Sequence, residues 1–400
     1  MGAPAQSINL LGCNRKEYNV FKSKKSLLML AFTVMAVLAF MEPAWAQRLQ
    51  EAIASAPVGT EPGHINPEAP TGFLGIPGAP NVNLLLGFAW AVWVGWIFST
   101  IGAFGGIMAG VGHITVFGFG SYASSFKDTS PTLNKLVTDS IRVSNQWLVG
   151  TSAAISSFNY WRMGRLVLPL ALALGLSSIA GASLIPWLTA GKISLKAYIG
   201  YFGLFVLALG CYLFWETTPK GQESKKKAKE AAKAFEASIK SGSKVDTAAM
   251  GVKVISFAPN KCVFTFFGVE FSFNPLIPLV GGFFIAGLAS FLGVGGGFLL
   301  VPFLTSVAGL PMYLVAGTSA LAVLISMITS IFTFMFVSNT PIFWPLIGAE
   351  LVGIFVGSVI GPRTSKYIPD IWLKRLFIVV AMYVGIKYTT QGLFGLKILP

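Results

Sequence analysis

Four glycines within five residues, Gly293 and Gly295 to Gly297, interrupt the long apolar stretch Leu292-Gly-Val-Gly-Gly-Gly-Phe-Leu-Leu-Val-Pro302, which leads on to Gly317-Thr-Ser-Ala320. Glycine at that density breaks a helix, and in lipid the freed backbone N–H groups must find protein, water or a ligand. Such N–H groups, with the positive end of a helix dipole, attract an anion without any fixed cation. Thr318 and Ser319 add hydroxyl donors, and Pro302 helps fix the end of the break. A degenerate copy stands upstream as Gly110-Val-Gly112, followed by Gly150-Thr-Ser-Ala153. The candidate substrate contacts are therefore Gly293, Gly295, Gly296, Gly297, Thr318 and Ser319, with Gly110, Gly112, Thr151 and Ser152 in the first half. At any single position, close glycine packing, or a hydroxyl bonded to its own helix carbonyl, competes with this reading; the clustering and repetition favour a site.

Two ionisable residues lie inside apolar sequence and are candidates for proton coupling. His113 sits in the weaker glycine segment, where an imidazole can take up a proton or donate to an anion; a neutral histidine bonded to a carbonyl is the competing reading. Glu350 is the one carboxylate well inside an expected span, where acids are costly and often functional; a protonated glutamate holding helices together competes. No paired catalytic groups occur, so no catalytic residue and no enzyme activity is expected. Three cysteines far apart (Cys13, Cys211, Cys262) and two histidines (His64, His113) supply no metal set and no cofactor site.

The elements that must carry these residues are membrane helices. Of 400 residues, 54% are hydrophobic and 11% charged, and the apolar residues come in runs. The net charge of +14 resides between those runs rather than on a folded basic face, which excludes a nucleic-acid partner and fits the positive-inside bias. Residues 1–46 read as a signal peptide cleaved after Ala46, or as an uncleaved anchor. Residues 47–81 form a Pro/Gly-rich periplasmic segment, 82–215 a first transmembrane repeat, 216–275 a basic inter-repeat loop and 276–400 a second repeat. The loop holds ten lysines and belongs on the cytoplasmic side; it begins as a charged helix and ends, over Val252–Phe273, as a hairpin. Gly353, Gly357 and Gly361, spaced by four, read as helix packing.

Each half contains a glycine break, a Gly-Thr-Ser-Ala helix and two further spans. From Gly112 to Thr151 is 39 residues and from Gly295 to Thr318 is 23, so the first half carries an insertion of 16 near 127–142. Loop charge places Arg162, Arg165, Arg363, Lys366, Lys374 and Arg375 inside, and the halves come out inverted; Lys192 and Lys196, falling outside, run against that orientation. The expected fold is all-α: a polytopic membrane protein of two inverted helical repeats with broken or re-entrant glycine-rich helices.

The stretch 292–302, with Val315-Ala-Gly-Thr-Ser-Ala320 and Leu373-Lys-Arg-Leu-Phe377, resembles the TauE/SafE sulfite exporter family, also called the toluene sulfonate uptake permease family. The resemblance covers roughly 84–393 and is specific in the second half. In the first half the glycine run is lost at Gly110-Val-Gly-His113 and no proline stands opposite Pro302. The resemblance implies a bacterial inner-membrane, multi-pass secondary transporter, exporter or permease, of small sulfur-containing anions such as sulfite, sulfonates, sulfate or thiosulfate. A passive anion channel and a non-transporting membrane scaffold are the alternatives. The implied partners are a sulfur oxyanion or organosulfonate and the lipid bilayer, with a homo-oligomer compatible.

Overall fold

The computed structural model describes residues 43–101, 105–189, 195–218, 226–240, 250–292 and 297–396. The expected leader falls outside them except for its last residues, which open helix α1 (Pro43–Ala54). The chain divides into two units, 1–50 and 51–400, and the second holds everything below. Six prolines between Pro57 and Pro80 keep the next stretch irregular, with one short 3-10 turn at Phe73–Gly75.

The first half is helical throughout: α2 (Leu84–Ile101), α3 (Gly105–Val111), the connector α4 (Phe119–Ser125), and the long α5 (Pro131–Arg162), α6 (Leu168–Thr189) and α7 (Leu195–Glu216). The last turn of α3 widens into a π-helical segment, Gly112–Val116. The central segment contains α8 (Lys226–Lys240) and, where the sequence predicts a two-stranded hairpin, a three-stranded antiparallel sheet: β1 (Lys253–Ala258), β2 (Lys261–Phe266) and β3 (Val269–Phe273) in the order β1-β2-β3. The all-helical expectation is corrected to that extent. The extra strand arises because Phe267 and Gly268 both take positive φ, the two-residue turn that lets the chain fold back at once. The second half follows as α9 (Leu276–Leu292), α10 (Gly297–Pro302) with its π segment Phe303–Val307, α11 (Met312–Phe332) with π segment Thr333–Val337, α12 (Trp344–Ser365) and α13 (Asp370–Leu393).

Packing pairs helices across the halves. α2 lies on α12 and α9 on α6, α7 on α13, and α5 on α11. Gly357 brings α12 onto the backbone of α2 at Val92 and Trp96; Gly181 brings α6 onto α9 at Phe283 and Gly287. Gly353 and Gly361 continue the contact of Gly357, so the four-residue spacing is a packing face. The same offsets recur: 283 minus 92 and 287 minus 96 are both 191, while 357 minus 181 is 176. The two π segments, starting at Gly112 and Phe303, are also 191 apart.

α3 doubles back on α2, with Gly105 against Phe98 and Gly112 against Trp90, and the π segment after α10 meets α9 likewise, Phe303 against Gly281. One end of the bundle faces the central segment: Gly164, between α5 and α6, accepts a hydrogen bond from the Val252 N–H, and the Tyr313 hydroxyl reaches Glu236 and the Ile368 carbonyl. The other end carries the proline-rich stretch, where the Thr129 hydroxyl donates to the Gly63 carbonyl. Two helices, Met312–Val337 and Trp344–Ser365, are long and apolar enough to cross a bilayer among the described residues, and several shorter apolar helices accompany them. Their outer faces expose Leu204, Phe214, Phe284, Ile328, Phe332 and Phe355, side chains suited to lipid rather than water.

Candidate functional site

His113, Asn145 and Glu350 come from three elements and meet inside the bundle. His113 stands on the π segment after α3, Asn145 on α5 and Glu350 on α12, with relative exposures of 1%, 5% and 0%. The His113 Nε2 lies 3.0 Å from Oε1 and 3.1 Å from Oε2 of Glu350, and Nδ1 faces Oδ1 of Asn145. With an oxygen opposite each ring nitrogen, an imidazolium donates both N–H groups, one to the carboxylate and one to the amide. The pair is then neutral as a whole, the condition under which two charges persist in a dry interior.

Glycines make the room. Gly112 has no Cβ where the Trp90 indole sits, and that indole N–H donates to the Met108 carbonyl at 3.1 Å. A Cβ on Gly110 would lie 3.6 Å from Asn145 Nδ2, and one on Gly87 the same distance from Glu350 Cγ. The π segment widens the helix at His113, a device that re-aims one side chain out of α-helical register. Aromatic rings close the proline-rich end: His113 lies 5.5 and 6.0 Å from the rings of Phe117 and Phe119, and Phe119 stacks at 3.9 Å on Phe73.

Of the predicted substrate contacts, Gly293, Gly295 and Gly296 lie outside the described residues, and Gly297 is buried at the start of α10. Gly110 and Gly112 are buried against Asn145 and Trp90. Thr318 accepts a hydrogen bond from the Val167 N–H at 3.2 Å, and the Ser319 hydroxyl donates to the Ala316 carbonyl. Ser152 pairs with Ser358 at 2.7 Å, and Thr151 is half-buried. The two proton-coupling candidates are the ones brought into direct contact.

Asn145 escaped the sequence reading, as did Ser140, Ser144 and Ser156, which are buried on α5 together with Ser152. The hydroxyls of Ser140, Ser144 and Ser156, and the Asn159 amide nitrogen, meet no hydrogen-bond partner among the described residues. The signal was the recurrence of small hydroxyls along one helix.

The triad occurs once among the described residues. Gly150 lies against Met327 as Gly317 lies against Tyr160, an offset of 167 in both cases. Counted off by 191, 167 and 176, the residues that stand at those distances from His113, Asn145 and Glu350 are Leu304, Met312 and Leu174, all apolar. Leu174 lines a small pocket with Ser178, Gly282, Leu300, Val323 and Ser326.

No curated protein and no solved structure matches the chain. The sequence model of the family described as Sulfite exporter TauE/SafE matches residues 87–388. That span takes in both glycine segments, both Gly-Thr-Ser-Ala helices and all three residues of the triad, and the chain belongs to the TauE/SafE sulfite exporter family of membrane transporters.

Proposed function

We propose that the protein is a proton-coupled secondary transporter of small sulfur-containing anions, multi-pass in a bacterial inner membrane, and that His113, Asn145 and Glu350 are its coupling site. The observation that carries this is the buried contact between His113 and Glu350, made within a bundle whose helix α5 also buries hydroxyls that meet no partner among the described residues. When Glu350 takes up a proton, the carboxylate charge is lost and the imidazolium stands unneutralised in a low-dielectric interior. An anion is then the favourable companion. Loss of that proton restores the pair and expels the anion. Uncharged donors, the α5 hydroxyls and the backbone N–H groups of Gly293, Gly295, Gly296 and Gly297, line the route with Thr318, Ser319, Thr151 and Ser152 nearby.

Two inverted repeats make up the body, supported by the shared offsets of 191, 176 and 167 and by cross-half packing that is unchanged when the halves are exchanged. The glycine segments are its re-entrant hairpins. The basic central segment lies in the cytoplasm, which puts the proline-rich stretch outside.

Purified protein in proteoliposomes tests this, with sulfite, sulfate, thiosulfate and sulfoacetate as substrates and chloride as control. Uphill accumulation of a sulfur oxyanion driven by a proton gradient is expected, and it excludes a channel. Equal permeation of chloride, or flux indifferent to the gradient, overturns the reading.

A further inference from the structure

Arg165 occupies the turn 163–167 between α5 and α6, 2% exposed. It is held firmly. Its backbone N–H donates to the Tyr160 carbonyl at 2.9 Å, its Nε–H to the Tyr313 carbonyl at 3.2 Å, and Gly317 lacks the Cβ that would strike its own carbonyl. The guanidinium carbon lies 4.7, 5.2 and 5.3 Å from the ring centroids of Tyr160, Phe235 and Tyr313. Yet Nη1 and Nη2 are buried and meet no acceptor among the described residues.

A purely structural cation in a dry cage would be matched by a carboxylate. Glu350 cannot serve: from Asn145 to Tyr160 along α5 is fifteen residues, about 22 Å of helix. Glu236, which accepts from the Tyr313 hydroxyl at 3.0 Å, makes no hydrogen bond to Nη1 or Nη2. The position equivalent to Arg165 in the other half, at the offset of 176, is Pro341, so the repeat does not require a cation here. What remains is an edge of two nitrogens, preorganised and dry, on a guanidinium that the Phe235 ring of α8 flanks at 5.2 Å. A guanidinium edge matches two oxygens of one oxyanion, a geometry that neither an ammonium nor a halide can reproduce.

We propose that the Nη edge of Arg165 binds the transported oxyanion, of the sulfite or sulfonate class, at the end of the bundle facing the central segment, and that Phe235 on α8 is the cover that must lift to admit it. The proposal rests on the transport reading and extends it with a second anion station remote from the coupling site.

Isothermal titration of the detergent-purified full chain with sulfite, sulfoacetate and chloride tests it, alongside Arg165→Lys, Arg165→Gln and Phe235→Ala. Loss of a bidentate charge-assisted contact is expected to weaken sulfite and sulfoacetate binding about tenfold or more in Arg165→Lys, which keeps the charge, and to abolish it in Arg165→Gln. Phe235→Ala is expected to tighten binding, and chloride to bind weakly to all four proteins. Size-exclusion profiles and melting without anion identify any variant that has lost its fold; the lysine and Phe235 variants keep the question decidable. If Arg165→Lys binds as tightly as wild type, or Phe235→Ala leaves affinity unchanged, the site is overturned while transport stands. If wild type neither binds nor moves any of these oxyanions, both proposals fall.

Discussion

A buried imidazolium facing a carboxylate is tolerated because each charge answers the other, so removing one alone strands its partner. His113→Leu or Glu350→Leu is expected to destabilise the protein by about 3–5 kcal/mol, read as a lower melting temperature in detergent. The double variant is expected to recover most of that loss, because two leucines leave no buried charge without its partner. It also loses acid-driven uptake. Glu350→Gln keeps the shape and one hydrogen bond but cannot exchange a proton; uptake driven by a proton gradient is expected to disappear while exchange of labelled for unlabelled sulfite persists. His113 and Glu350 were legible in the sequence because a lone ionisable group in apolar surroundings stands out. Asn145 was not, since a single uncharged amide near the start of the apolar run 143–161 does not stand out as an ionisable group does. Arg165 was placed at a helix end, correctly, but the aromatic cage depends on α8 folding over it, which no local pattern announces.

Among the elements, close approach decides. Gly181 and Gly357 each let one helix rest on the backbone of another, where any Cβ would collide. Gly181→Ala and Gly357→Ala are expected to cost about 1–3 kcal/mol each, similar to one another, in thermal unfolding. Unequal costs would count against their equivalence. The repeated Gly-Thr-Ser-Ala motif was legible in the sequence, but the spacing of the two π segments was not. Gly110-Val-Gly112 repeats the letters of Gly293-Val-Gly295 at an interval of 183, whereas the π segments stand 191 apart. π turns leave no compositional trace, and α5, at 32 residues, hides the extra length that shifts the letters. The third strand was missed for a similar reason: Phe267-Gly268 is a turn only because Phe267 accepts a left-handed conformation.

At the scale of the molecule, aromatic rings mark both ends of the bundle, Phe73 on Phe119 at one and Phe235 over Arg165 at the other. The central sheet is a folded part of the assembly rather than a loose linker, with Cys262 fully buried in it and burial pushing its thiol above the usual range. At any given pH Cys262 then holds less thiolate than an exposed cysteine, so a water-soluble maleimide should leave it unlabelled at pH 8 and react only after denaturation. Prompt labelling of Cys262 in the native Cys13→Ser/Cys211→Ser variant would show that the sheet opens. Membrane character and the basic loop were plain from composition, because both are averages over many residues; the placing of three single rings at the ends could not be.

His113 and Asn145 come from the first half and Glu350 from the second, while Leu304, Met312 and Leu174 stand at the offsets of 191, 167 and 176 from them. Exchanging the halves would therefore not reproduce the polar site. A transporter so built is expected to show different apparent affinities when measured from its two faces.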